Sequence, residues 1–552
     1  MAGNRISCSL IDARHRRHSV LPGVFSWFRE GMMSTTDTVL RLDAAEPAAD
    51  RPPFAWRGVL AVSFGFAAVL GIAAARFNFF GDELYFLAAG RRLALAYPDQ
   101  GPLAPFVAHL CDLVAPGSVL ALRIPALALT AAAAILAAAT AREVGAGSRY
   151  QILAAAAYAV SPLAFDQLQL ITLTFDIPLQ ALIIFLLIRW VRTRQDWLLI
   201  AAGVTAALAF QAKWMVPGVW ALLGLGVLVA GPREMLRRPA LYAGTLILAV
   251  AMIPGIVWQV QHGWVESQMT AIIAQEQYAA NTGPLVCALE IATQCGLLGG
   301  LLSILGLWGL VRQEALRPYR FAMVAGLGLL AVVLVENGRS YYIAGFWPAL
   351  LGAGAYVLGT VEAQRRVRGL VTGLAVASAV MFTVAMIVLP VPKGWIAKPI
   401  TDQMQYWQRE SMSGPDGYAT FTAAVRDAVA ALPESERRDA AVVAASYVQA
   451  SALEEFGRDY HLPPMYSPNR GFGYFGPPPD SARTIVYLAV DGVGDKDFLS
   501  QFASTTLVQR IDDPNGLPGL ERLVTVYVCR EPLHPWAQVW PGLMTLTFPT
   551  GI

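Results

Sequence analysis

Residues 56–85 read WRGVLAVSFGFAAVLGIAAARFNFFGDELY, an apolar run that ends in an adjacent acid pair, Asp82 and Glu83. The run is long enough to cross a bilayer. Two carboxylates at the edge of lipid are costly to keep there unless something at that surface needs a base or a cation-binding group. The chain as a whole fits a membrane setting: 56% of its 552 residues are hydrophobic, 14% are charged, and the mean hydropathy is +0.49. Soluble domains carry about a quarter charged residues.

Beyond the run at 57–76, apolar stretches recur at 118–140, 150–165, 171–190, 197–212, 214–230, 240–260, 294–312, 321–336, 342–360 and 370–391, so about eleven helices are expected. Threaded with the N-terminus inside, the arginines collect in alternate loops, at Arg142 and Arg149, Arg189 to Arg194, Arg233 to Arg238, Arg312 to Arg320 and Arg365 to Arg368. The opposite loop 261–293 has no Lys or Arg. This is the positive-inside pattern. It predicts an α-helical polytopic membrane domain over 57–391, preceded by a disordered cytoplasmic tail over 1–56 that holds alternative start methionines at Met32 and Met33. Composition shifts at Pro390-Val391-Pro392, and the remainder has 18 acidic and 13 basic residues with strand-like runs at 484–490 and 523–528. It is expected to form an extracytoplasmic α/β domain over 392–552, with a Pro-, Gly- and aromatic-rich loop from His461 to Pro479. Basic residues lie in short clusters between spans, which excludes a nucleic-acid partner. The five cysteines show no paired or metal-ligand spacing.

Ionisable residues inside or beside a span point to function, and the topology puts them on one side. Asp82 and Glu83 follow the first helix, and Arg91, Arg92, Asp99 and Gln100 lie in the loop after them. Asp176 sits one turn into the fourth helix, Lys213 at the tip between the fifth and sixth, and His262 and Glu276 in the loop 261–293. Arg339, Tyr341 and Tyr342 flank the tenth helix. A transporter would place such groups near the bilayer midplane; a single interface suits chemistry on a lipid headgroup. A carboxylate there can serve as general base, and lysine and arginine can neutralise a phosphate leaving group. Asp82 and Glu83 point about 100° apart on a helix and so do different jobs.

With these residues in place, the chain resembles polytopic glycosyltransferases of the GT-C fold. It is most similar to the bacterial branch of glycosyltransferase family 39, the protein O-mannosyltransferase and aminoarabinose transferase superfamily. The resemblance runs from about residue 57 to the end, and its order and topology carry it more than any one motif. It rests on Gly81-Asp82-Glu83-Leu84-Tyr85, Asp99-Gln100-Gly101-Pro102-Leu103, Asp176 in a helix ending at Arg189, Ala207 to Lys213, Pro254 to Trp264, and Gly338-Arg339-Ser340-Tyr341-Tyr342 before Pro348-Ala349-Leu350. It implies a polyprenyl-phosphate-linked sugar donor, a lipid, glycan or protein acceptor, and transfer with inversion at the outer face of a bacterial inner membrane. Asp82 then matches the base, with Glu83 and Asp176 beside it. Lys213 and Arg339, with Tyr341 and Tyr342, match the groups around the donor phosphate, and Arg91, Arg92, Asp99, Gln100, His262 and Glu276 are loop or acceptor contacts. The chain departs from the pattern twice. Gln100 stands where aminoarabinose transferases have a lysine, and Glu276-Gln277 replaces a Glu-His pair. No cofactor is read beyond a divalent metal that the resemblance allows. The rival readings are a lipid or polysaccharide transporter and a non-catalytic relative that binds polyprenyl lipid.

Overall fold

The structure, a computed structural model, describes residues 51–551 except 282, 362–364 and 397. All but the last few residues of the expected N-terminal tail lie outside the described residues. Helices occupy all eleven expected stretches: α1 (Trp56–Ala74), α4 (Val119–Val144), α5 (Ser148–Ala159), α6 (Thr172–Thr193), α7 (Trp197–Phe210), α8 (Val216–Ala230), α9 (Pro239–Gln261), α12 (Gly296–Arg312), α13 (Arg320–Val335), α14 (Trp347–Val361) and α15 (Arg365–Val388). Between them lie α2 (Gly81–Gly90), α3 (Leu103–Val114), α10 (Val265–Asn281) and α11 (Pro284–Thr293). Among the described residues, seven helices are long and apolar enough to cross a membrane, or eight if α11 and α12, bent by 100°, form one broken span. The remaining three, α5, α7 and α8, have only 12, 14 and 15 residues. Among the described residues a helix therefore stands at each of the eleven expected stretches, while fewer have full spanning length. Helices this apolar gain little from hydrophobic burial in lipid and associate through small residues that let backbones approach. A Cβ on Gly203 would overlap Gly244 of α9, and one on Gly354 would overlap the Leu302 carbonyl of α12.

After α15 the chain forms α16 (Gln403–Ser413), α17 (Tyr418–Ala430), β1 (Ala440–Ala444), α18 (Tyr447–Phe456), β2 (Met465–Tyr466), β3 (Thr484–Val490), β4 (Phe502–Ile511), β5 (Val524–Pro532) and α19 (Trp536–Leu543). The sheet order is β2-β1-β3-β5-β4, with β1 parallel to β2 and β3, and β5 antiparallel to β3 and β4. Strand β3 is buried on both faces, which explains its continuous apolar run. Val486 and Leu488 join the core shared with α17 and α18, while Ile485 and Tyr487 pack with Trp536 and Trp540. The expected strand at 484–490 is β3, and that at 523–528 falls on the start of β5, one residue early.

Helices α2 and α18 lie side by side and run parallel. Tyr447, first in α18, meets Asp82 near the start of α2, and Glu454 and Glu455 near its end meet Arg92 and Arg91 just past the end of α2. The contact is close because Gly81 has no side chain: a Cβ there would lie 2.8 Å from Val448 Cγ2. The Gly-Asp-Glu motif thus packs directly against the C-terminal domain.

Candidate active site

The first turn of α2 divides its two carboxylates. Glu83 faces inward and is fully buried. Its Oε2 accepts from the Phe80 amide at 2.9 Å and from Arg123 Nη2 at 2.6 Å, and its Oε1 from Arg123 Nε and the Leu170 amide, both at 2.9 Å. Arg123, from the first turns of α4, is also fully buried and donates to the carbonyls of Ala74, Phe77 and Asn78. Expected in the catalytic set, Glu83 instead has every good acceptor direction filled by protein donors. It locks the α1–α2 turn to α4. The apolar pattern of α4 concealed its partner Arg123.

Asp82, one position earlier, faces the C-terminal domain. Its Oδ1 accepts from Tyr447 Oη at 2.9 Å, and among the described residues Oδ2 has no hydrogen-bond partner. Asp99 is adjacent: Tyr85 Oη lies 3.4 Å from its Oδ1. Burial pushes the Asp99 carboxyl up to about 6, with the Asp82 charge adding and Arg470 opposing. In the first turn of α10, burial lifts Glu266 to about 8, helped by Asp99 and opposed by Lys213. On α16, Glu410 is raised to about 8 by burial and further by Asp82.

Cations face these acids. Lys213 Nζ lies 4.7 Å from the ring centre of Tyr341 and 4.1 Å from that of Tyr342, a cation–π arrangement. It is within electrostatic reach of Asp176 and Arg339, and Arg339 in turn is within reach of Asp82 and Glu276. Among the described residues, neither Lys213 nor Arg339 has a carboxylate at ion-pair distance. Asp176 is buried in α6; its Oδ1 accepts from Gln180 at 2.7 Å and, among the described residues, its Oδ2 has no hydrogen-bond partner. Gln100 is buried, and its amide nitrogen has no hydrogen-bond partner among the described residues. The structure therefore gathers Asp82, Asp99, Asp176, Lys213, Arg339, Tyr341 and Tyr342 into one region, at the helix ends opposite the arginine-bearing loops.

Other expected contacts have structural partners. Arg91 pairs with Glu455 and lies 3.4 Å from Asp112; Arg92 pairs with Glu454. Both fasten the loop after α2 to α18. Glu276 pairs with Arg470 Nη2 at 2.7 Å and accepts from the Phe548 amide at 3.0 Å. His262 is exposed at the C-terminus of α9, stacked on Trp258 with ring centres 3.9 Å apart. Among the described residues no three His, Cys, Asp or Glu side chains gather as a metal site, and the carboxylate of Glu276 is already committed to an arginine. Tyr447, Arg470, Glu266 and Glu410 were missed in the sequence. Arg470 stands in the expected loop 461–479, at a left-handed φ of 46°. Its amide donates to the Thr545 carbonyl at 2.7 Å and its Nε to the Leu546 carbonyl at 3.1 Å. No local periodicity marks such a residue.

A bundle of apolar helices with acids at one end and cations that, among the described residues, lack carboxylate partners, roofed by a small α/β domain, defines a polytopic membrane protein of the GT-C fold. Residues 99–258 match the family described as dolichyl-phosphate-mannose-protein mannosyltransferase. The crystal structure of ArnT from Cupriavidus metallidurans bound to undecaprenyl phosphate superposes with a TM-score of 0.53 at 14% identity, covering 86% of this chain and 98% of that one. The apo form of the same protein gives 0.55 at 12% identity, with the same coverage. No curated protein sequence is significantly similar. The GT-C resemblance read from the sequence thus holds both in the family match and in the fold.

Proposed function

We propose that the protein is an inverting glycosyltransferase that moves a sugar from a polyprenyl-phosphate donor to an acceptor hydroxyl at the outer face of a bacterial inner membrane. The observation that carries this reading is the Asp82 carboxylate, whose Oδ2 has no hydrogen-bond partner among the described residues, within electrostatic reach of Arg339, which lacks a carboxylate partner among the same residues. The acceptor oxygen attacks the anomeric carbon and its proton passes to Asp82. The bond from that carbon to the phosphate oxygen breaks, and the electron pair leaves with the polyprenyl phosphate. Lys213 and Arg339 neutralise the charge that grows on the phosphate. A single displacement inverts the configuration.

An apolar cavity of about 120 Å³ supports a long-chain donor. It starts at Ile343 and Phe346, directly after Tyr341 and Tyr342, and continues to Val144, Ile188 and Tyr319 at the arginine-bearing ends of the helices. The donor phosphate would then sit at the mouth with its tail between helices. Membranes containing the wild type should transfer radiolabel from a polyprenyl-phosphate sugar, and Asp82→Asn should lose at least about a hundredfold in kcat while still binding donor. Equal transfer by the variant removes Asp82 from the chemistry. Tight lipid binding with no transfer from any such donor favours the transporter or the non-catalytic relative.

A further inference from the structure

We infer that the C-terminal domain completes the active site, with Tyr447 as the positioning residue that fixes the carboxylate of Asp82; this rests on the reading of Asp82 as the base. Tyr447 Oη donates to Asp82 Oδ1 at 2.9 Å across 365 residues of sequence. A carboxylate held by one oxygen keeps its other oxygen in a defined direction, and Arg339 lies within electrostatic reach of this carboxylate. The tyrosine is itself held by several contacts. Its amide donates to Asn469 Oδ1 at 3.2 Å, and Ser446 and Gln449 cap the start of α18. Its ring meets Tyr85 edge-on at 5.6 Å, and the Arg470 guanidinium lies 5.6 Å from the ring centre.

The elements that carry Asp82 and Tyr447 are clamped at both ends. Gly81 against Val448 closes the near end, and Arg91 and Arg92 against Glu455 and Glu454 close the far end. A third contact links the same two surfaces, because a Cβ on Gly471 would overlap Tyr85 Oη. A domain that only delivered acceptor would not need this registration to the first turn of α2. Fixing a base matters, since a displacement of about 1 Å can cost roughly a hundredfold in rate.

The test uses the full-length protein and a polyprenyl-phosphate sugar donor. Tyr447→Phe removes one hydroxyl and keeps the ring packing. It should lower kcat about 10- to 100-fold, leave the donor KM within about twofold, and leave the thermal unfolding midpoint unchanged. In an Asp82→Glu background, where the carboxylate is already displaced, the same change should have little further effect, because coupled residues are non-additive. An unchanged kcat, an equal loss in both backgrounds, or a loss accompanied by a higher KM and a lower midpoint overturns the role of Tyr447 alone. Absence of transfer by the wild type overturns the reading of Asp82 on which it rests.

Discussion

A helix turns about 100° per residue, so carboxylates at 82 and 83 meet different surroundings despite being neighbours. Glu83 turns toward Arg123, where both side chains are fully buried and in contact at 2.6 Å. Removing one partner of a buried ion pair leaves an uncompensated charge and costs about 3–5 kcal/mol. Glu83→Gln should therefore destabilise the fold by that order, seen as a lower yield of folded protein and a lower thermal midpoint in detergent. The fraction that folds should still transfer sugar through Asp82. The decisive comparison is midpoint against activity per folded molecule: full stability with abolished transfer would make Glu83 a reacting group and reverse the division of labour drawn from the geometry. Asp82 has the opposite profile, with one oxygen free and one held by a hydroxyl, so its loss should be felt in turnover first.

At the scale of elements, α16 brings a buried carboxylate into the neighbourhood of α2. Burial lifts Glu410 from the ordinary 4.5 to about 8, and Asp82 adds to the effect. The folded protein thus holds a proton that the unfolded chain has already released over this window, and stability falls as pH rises from about 4.5 to about 8. Glu266 and Asp99 contribute in the same direction, over windows ending at about 8 and about 6. Glu410→Gln keeps the shape and removes the titration. Its thermal midpoint relative to wild type should therefore climb steadily between pH 5 and pH 8, read by parallel melts across that range. Parallel curves for the two proteins would mean that Glu410 is already ionised in the fold and that its surroundings are more polar than the packing of Tyr406 and Tyr418 implies.

The whole molecule explains which parts of the site could be read from the sequence. Apolar runs and the sorting of arginines follow from solvent and so are written locally; all eleven helices lie where hydropathy puts them. Lys213 was legible because it is the single lysine in the membrane region, and Asp82 because it ends the first apolar run. Tyr447, Arg470 and Glu410 were not, since their meaning depends on a domain folding back over α2 from hundreds of residues away. The partners of Arg91, Arg92 and Glu276, expected as loop or acceptor contacts, were hidden for the same reason: Glu455, Glu454 and Arg470 all lie in that domain. The arrangement also makes a prediction about sidedness. Asp82 follows α1, Asp176 lies one turn into α6 and Lys213 follows α7, all opposite the arginine-bearing turns, and the C-terminal domain contacts the Asp82 end. If the arginines face the cytoplasm, the site and the whole C-terminal domain lie outside. In a variant with its native cysteines replaced, Ser500→Cys, exposed in that domain, should react with a membrane-impermeant maleimide in intact spheroplasts. Gln195→Cys, exposed in an arginine-bearing turn, should react only after the membrane is opened. The reverse pattern would put transfer on the cytoplasmic side and sink the assignment of the acceptor to the cell envelope.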